Sequence, residues 1–480
     1  MITNITEAYK NYAVYLPSLQ EPYANTAHSD GFKNKRSTRP LNLNAELLDF
    51  LDSNCKLWTH NCTLYSCGQY SGSTITHRNM IAERKRGDNI VVGDSGGYQL
   101  GTNALRRKET KSFFSKYKDK PSLFAKRWNQ SGEVERVVHF LNAYCDYSMT
   151  LDMVMWGTDE AKPTQKMKDE NKSPLKNLSV QQCIDLTVEN LKYIDRQRDV
   201  GNEHKTKWLN VTQCIGNVQG VDSGSVWYDA VKDFEFEGWA FGGGTAFHFH
   251  QLLRWVRKIL NDKKFDNREW IHILMKSPPS SSILYTVVKH TINELANTDI
   301  QLTYDSSSHS QIVGKNRALF TYDTLTSDIN TWTMSKEEVL PTKAMLDRTQ
   351  IKQLPNWHPL SKFITYNDLV ERTDMHQTSY FDVLSWELMR NYNMYIQHRR
   401  AIDACDLYFD SELQNHNNIP SLILELAEYA SEFLRCENPN DFEQQHKELL
   451  RAYDSKFATI KAILPTDDSG WKRVFEPFAY

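Results

Sequence analysis

No stretch of this 480-residue chain approaches the ~20 consecutive apolar residues that a membrane-spanning helix needs. The start, MITNITEAYKNYAVYL, has no basic segment followed by an apolar core, so no secretory leader is expected and the protein is expected to be cytoplasmic. None of the eight cysteines falls in a CxxC pair, which leaves neither a zinc knuckle nor a redox dithiol. No charge of one sign dominates. The formal net charge is −3, so no global field draws a polyanion and any such partner needs a local basic patch. No GxGxxG opens a helix, as a dinucleotide fold would require. Internal repeats and low-complexity tracts are also lacking.

What is present is alternation. Short β-rich runs, CTLYSC (62–67), NIVVGD (89–94), YSMTLDMV (147–154), WLNVTQCIGNVQG (208–220), GWAFGGG (238–244), WIHILMKS (270–277) and IQLTYDSSS (300–308), are separated by helical patterns. SVQQCIDLTVENLKYIDRQR, for instance, carries Ile184, Val188, Leu191 and Ile194 at helical spacing. Strand–helix alternation implies a parallel sheet. Seven visible strands, with an eighth easily missed, fit a closed (β/α)8 barrel better than an open sheet. Residues 1–40 read as a polar extension, 41–400 as the barrel domain, and 401–480 as a helical C-terminal extension.

Chemistry on such a barrel sits at the C-terminal mouth of the strands. Those strand ends carry Asp94, Asp152, Gln219, the run Gly242-Gly243-Gly244, Met275 and Asp305. Taken singly, an Asp after a strand is ordinarily a turn former or helix N-cap. Together, three carboxylates can divide labour: one desolvated acid or base, and one nucleophile at an anomeric carbon. An amide, exposed glycine N–H groups and Tyr98 at the same mouth suit a flat, hydrogen-bonding heterocycle. The chemistry open on residues alone is glycosyl transfer or glycoside hydrolysis.

The run DSGGYQ (94–99) resembles the signature of the tRNA-guanine transglycosylase superfamily. DYSMTLDMV, with Asp146 and Asp152, GNVQG, GWAFGGGTAF, ILMKSPP and TYDSSSHSQIVGKNRALFT resemble further family segments in the family's order, over roughly residues 60–325. The resemblance implies a (β/α)8 barrel. It assigns Asp305 as nucleophile at C1′ and Asp94 as acid/base. It gives Asp152, Gln219, Gly243 and Ser95 to the base edge, with Tyr98 and Met275 stacking on its faces. A 7-deazaguanine then replaces guanine in a nucleic acid.

Departures from the family are equally pointed. Its C-x-C-x-x-C zinc site corresponds here to LPNWHPLSKF, with Asn356, His358 and Ser361 where thiolates belong and Tyr392-Asn393 near the position of the distant His. Neutral Asn and Ser do not supply the anionic charge zinc wants, so no metal or other cofactor is expected. Lys276 stands where the family has glycine, offering a cation to a phosphate or to solvent. No familiar RNA-binding module follows the barrel; residues 402–448 hold eleven acids and two Lys/Arg. These features favour the DNA-modifying branch of phages and bacterial genomic islands, acting in the host cytoplasm, over a tRNA enzyme. Residues 104–127 hold nine Lys/Arg against two acids, and Arg106, Arg107, Lys108 and Lys111 are the expected phosphate contacts. A carbohydrate-directed hydrolase and a non-catalytic nucleic-acid-binding subunit are the alternatives from other classes.

Overall fold

A computed structural model of the chain describes residues 2–28, 47–76, 78–161, 173–200, 204–218, 221–340, 342–370 and 381–457. Eight parallel strands close into a barrel: β1 (Val14–Leu19), β2 (Cys62–Ser66), β3 (Ile90–Asp94), β4 (Tyr147–Met149), β5 (Lys207–Thr212), β6 (Gly238–Phe241), β7 (Trp270–Ile273) and β8 (Gln301–Ser306). Each strand pairs with its sequence neighbour, and β8 pairs back onto β1. This is the (β/α)8 barrel expected from the alternation.

The eighth strand lies inside the segment read as an extension. Val14–Leu19 pairs with β8 in the register Val14↔Thr303 to Pro17↔Ser306, and with β2 through Ser18↔Leu64. The boundary at residue 40 is therefore corrected: residues 14–19 are barrel, not extension. Pro17 hides the strand in the sequence, because a proline within a short apolar run argues against a paired strand. The Pro17 carbonyl nonetheless accepts a 2.8 Å hydrogen bond from Thr63 Oγ1. GFKNKRSTRP lies outside the described residues.

Period-2 alternation decides what fills the barrel. Leu16, Cys62, Leu64, Val92, Met149, Leu209, Val211, Ala240 and Trp270 form one apolar cluster in its interior. Trp270 stacks on Tyr147 at 4.2 Å between ring centroids, and Lys207 pairs with Glu269 beside them. The alternate residues, such as Tyr65, Val91, Trp208, Ile271 and Tyr304, join the larger core between barrel and helices. Counting on by two from Val92, Val211 and Trp270 reaches Asp94, Gln213 and His272, and on β8 Asp305 alternates with Leu302 and Tyr304 of the outer core.

The helical layer includes α1 (Gly97–Gly101), α2 (Lys108–Tyr117), α3 (Glu133–Tyr144), α4 (Val180–Gln197), α5 (Ser223–Val231), α6 (Phe249–Asn261), α7 (Ser280–Ala296) and α8 (Ser308–Asn316). Ser179 and Gln182 form a capping box at the start of α4. Beyond these, α9 (Val383–Phe409) runs unbroken through the expected boundary at 400 and packs on β1, α7 and α8. It therefore belongs to the barrel's closing layer. The helices α10 (Ser421–Arg435) and α11 (Lys447–Phe457) follow, as the helical reading expected, packed against α7 and α6; residues 458–480 lie outside the described residues. Among the described residues, no helix is long and apolar enough to cross a membrane.

Charged groups fasten this C-terminal layer to α6. Arg254 grips Glu443 through Nε at 2.6 Å and Nη2 at 2.5 Å, with both side chains buried. Arg254→Met leaves Glu443 buried without that partner and is expected to cost about 3–5 kcal/mol of unfolding free energy, most of it recovered by Arg254→Met/Glu443→Leu. Urea unfolding followed by circular dichroism checks this; an equal loss in both variants refutes it.

Candidate active site

Asp94 ends β3, where its carboxylate accepts from Gly96 N at 3.1 Å and from the Ser66 hydroxyl. Gly96 makes that turn with φ +87°, and a Cβ there would lie 2.9 Å from Gly68 Cα, so glycine is required twice over. Burial raises the Asp94 pKa, the hydrogen bonds from Ser66 and Gly96 N oppose that rise, and the negative charge of Asp305 adds to it. Asp94 and Asp305 thus share one mouth and act on each other electrostatically.

Asp305 lies on β8 and is 6 % exposed. Its Oδ1 accepts from Met275 N at 3.1 Å and meets His272 Nε2 at 3.3 Å. Met275 adopts φ +63°, a left-handed backbone that is rare for a residue with a long side chain. That turn directs its N–H to the carboxylate. His272 is fully buried on β7, with Nδ1 2.9 Å from Thr303 Oγ1, which also accepts from Trp270 Nε1 at 2.9 Å. Thr303 Oγ1 also lies 3.3 Å from Ile271 O, so its one proton has two acceptors within reach, that carbonyl and His272 Nδ1. Asp305 Oδ2 has no hydrogen-bond partner among the described residues.

Asp152 follows β4 and is 6 % exposed. Burial pushes its carboxyl up to about 7, against hydrogen bonding from Gln213, and the Asp94 charge adds to the rise. The Gln213 amide has a defined orientation. Its Oε1 accepts from Met155 N at 3.0 Å, so its NH2 group faces and donates to Asp152 Oδ2. Sequence reasoning selected Gln219, which lies outside the described residues, and passed over Gln213. The inward series Leu209, Val211, Gln213 was the available signal. Asp146, the other aspartate of that motif, sits at the opposite end of β4, where it binds Arg84 and Val91 N, each at 2.8 Å.

The rim is aromatic and glycine-rich. Tyr98 is 61 % exposed and 5.8 Å from Trp156, ring to ring. Trp156 also reaches toward Gly243, whose ideal Cβ would lie 4.0 Å from its Cδ1. Gly243, at φ +54° and ψ −137°, holds a conformation closed to residues with a Cβ. Trp156 was not foreseen, and no periodicity marks it. Ser95 is buried and donates to Thr150 O at 3.1 Å, so its hydroxyl ties strand ends together. Lys276 is buried rather than solvent-facing. Desolvation pushes its ammonium down to about 8, opposed by Asp454 of α11.

The expected phosphate contacts divide. Arg107 is committed within the fold: Nη1 donates to Gly132 O at 2.6 Å and Ser131 O at 3.2 Å and lies 3.7 Å from buried Glu133. Arg106 pairs with Glu21 at 2.7 Å. Lys108 and Lys111 are exposed. In the segment where the sequence resemblance implied a zinc site, His358 is fully buried and stacked on Tyr392. Its Nδ1 accepts from Leu360 N at 3.1 Å while Nε2 donates to Tyr392 O at 3.4 Å. Ser361 donates to His358 O, Asn393 holds Phe320 N at 2.7 Å, and Asn356 is exposed. Neutral donors and an imidazole with both nitrogens engaged do not fit zinc.

No family model matches the chain, and no curated protein matches it either.

The raised Asp152 pKa has a stability consequence. Between pH 4 and 7 the folded state holds a proton that the unfolded chain has lost, so this group lowers stability as pH rises through that window. Asp152→Asn keeps the Gln213 contact without the buried charge. It is expected to raise the melting temperature at pH 8 and to change it little at pH 4, a difference on the order of a few kcal/mol. Calorimetry at both pH values checks this; an equal shift at both refutes it.

Proposed function

We propose that this protein is a base-exchange transglycosylase that replaces guanine in DNA with a 7-deazaguanine. The observation that carries the reading is the pairing of Asp305, whose Oδ1 is held by two donors while Oδ2 makes no hydrogen bond among the described residues, with Asp94, a carboxyl of raised pKa at the same mouth. Asp305 Oδ2 attacks C1′, the C1′–N9 bond breaks, and Asp94 gives its proton to the leaving guanine. The incoming base returns a proton to Asp94 as its N9 attacks C1′ and frees Asp305. The aspartyl ester conserves the glycosidic bond energy, so the exchange needs no ATP.

Other residues serve recognition and positioning. Asp152, oriented by Gln213, meets the donor edge of a guanine-like base as an acceptor. Tyr98 with Trp156, and Met275 from the other side, cover its faces. His272 is a positioning residue: it occupies Oδ1 so that Oδ2 is the reacting oxygen. A base inside a duplex must be flipped out to reach this mouth, at a cost of a few kcal/mol. The sequence departures described above favour DNA. tRNA would use the same chemistry at the same two carboxylates.

Two outcomes test the reading. Incubation with a guanine-containing oligonucleotide is expected to yield a denaturant-stable adduct that Asp305→Asn abolishes, with labelled guanine exchanging into DNA more than into tRNA. No adduct from wild type refutes the mechanism, and sugar release from carbohydrate without nucleic acid points to a hydrolase. His272→Gln is expected to lower kcat about tenfold and His272→Leu about a hundredfold, with KM nearly unchanged. Equal losses in both variants, or losses confined to KM, would remove His272 from positioning the nucleophile.

A further inference from the structure

Among the segments that follow β3 and β4, a cavity of about 520 Å³ opens beside the end of α1. Its walls include Asn103, Lys111, Ser115, Lys118, Ser173 and Lys176, over a floor made by Phe114. Three lysines line it and no carboxylate does. Lys111, Phe114, Ser115 and the C-cap Lys118 stand at i, i+3, i+4 and i+7 along α2, one helix face, while Thr110, Phe113 and Tyr117 are buried on the other. Lys176 comes from a separate segment that is tied to the end of α2 by Asn177, whose Nδ2 donates to Lys118 O at 2.9 Å and lies 3.3 Å from Asp119 Oδ1. Asn103 closes the wall in a left-handed turn at φ +59°.

The contrast with the neighbouring arginines is informative. Arg106 and Arg107 carry carboxylate partners, whereas no ion pair involves Lys111, Lys118 or Lys176 among the described residues. Three uncompensated cations around one concavity hold a standing positive potential that a mobile anion lowers. The five residues of α1 advance about 8 Å, so the cavity stands a short step from Tyr98, at the rim where the base is covered.

We infer that this cavity seats a backbone phosphodiester of the nucleic-acid strand next to the reacting nucleotide, with Lys111, Lys118 and Lys176 as its cations. The inference rests on the transglycosylase reading for its choice of polyanion. It moves the phosphate contact from the arginines at 106 and 107 to a site built by α2 and residues 173–176. The Asn103 amide offers a neutral donor beside the charges, while the Ser115 hydroxyl is tied back to Lys111 O at 3.0 Å.

The test is fluorescence anisotropy with labelled single-stranded DNA and RNA oligonucleotides across a salt series. It compares wild type, Lys111→Gln/Lys118→Gln/Lys176→Gln, and Lys192→Gln as a control on α4. The triple variant is expected to bind roughly tenfold more weakly and to lose about 2 from the slope of log affinity against log salt, with its melting temperature and the control unchanged. A slope equal to that of wild type overturns the inference. So does a wild type that binds inorganic phosphate but neither oligonucleotide. The Asp305 adduct assay on the same proteins judges the chemistry separately. Binding through the three lysines without any adduct retires the transglycosylase reading and leaves the phosphate site standing.

Discussion

Desolvation of carboxylates above an apolar floor is the constraint on which the rest of the site depends. The interior cluster from Leu16 to Trp270 fills the lower barrel, so Asp94, Asp152 and Asp305 cannot be hydrated from beneath. Burial accounts for most of the upward shift at Asp94 and Asp152, and the mutual repulsion of neighbouring aspartates adds to both. A group poised to hold or yield a proton near neutrality results from the packing of residues that never touch it.

Around these acids, a carboxylate oxygen of Asp305 and one of Asp152 are each held by a partner that is itself held. Trp270 fixes Thr303, Thr303 fixes His272, and His272 with Met275 N holds one oxygen of Asp305. Met155 N fixes Gln213, which in turn fixes Asp152. Both chains begin in backbone or core groups rather than in solvent-exposed side chains. Orientation is therefore built into the fold itself, and on the proposed reading catalysis by positioned groups gains from such preorganisation.

Much of the fold was legible because strand and helix periods differ and most of the visible β-rich runs ended at a glycine or polar residue. The strand carrying Pro17 was not, since its pairing is specified by β8, almost 300 residues away. Asp94, Asp152 and Asp305 could be read from their position after apolar runs. Gln213 and His272 were open to the same period-2 count but sit within or just past runs that look like core. The arginine at 107 misled because its partners are main-chain carbonyls of 131 and 132, which no composition reveals. Free and committed cations look alike until the fold pairs them.

The closure of β1 on β8 also orders events at the ribosome. Once made, β1 can pair with β2 within some tens of residues, yet its other edge stays open while about 280 more are synthesised. At roughly 5–20 residues per second that is about 15–55 s. Over that interval the nascent sheet presents a hydrogen-bonding edge of the kind that recruits other chains. Coexpression of chaperones that shield exposed strands should therefore influence the yield of this protein more than its final stability.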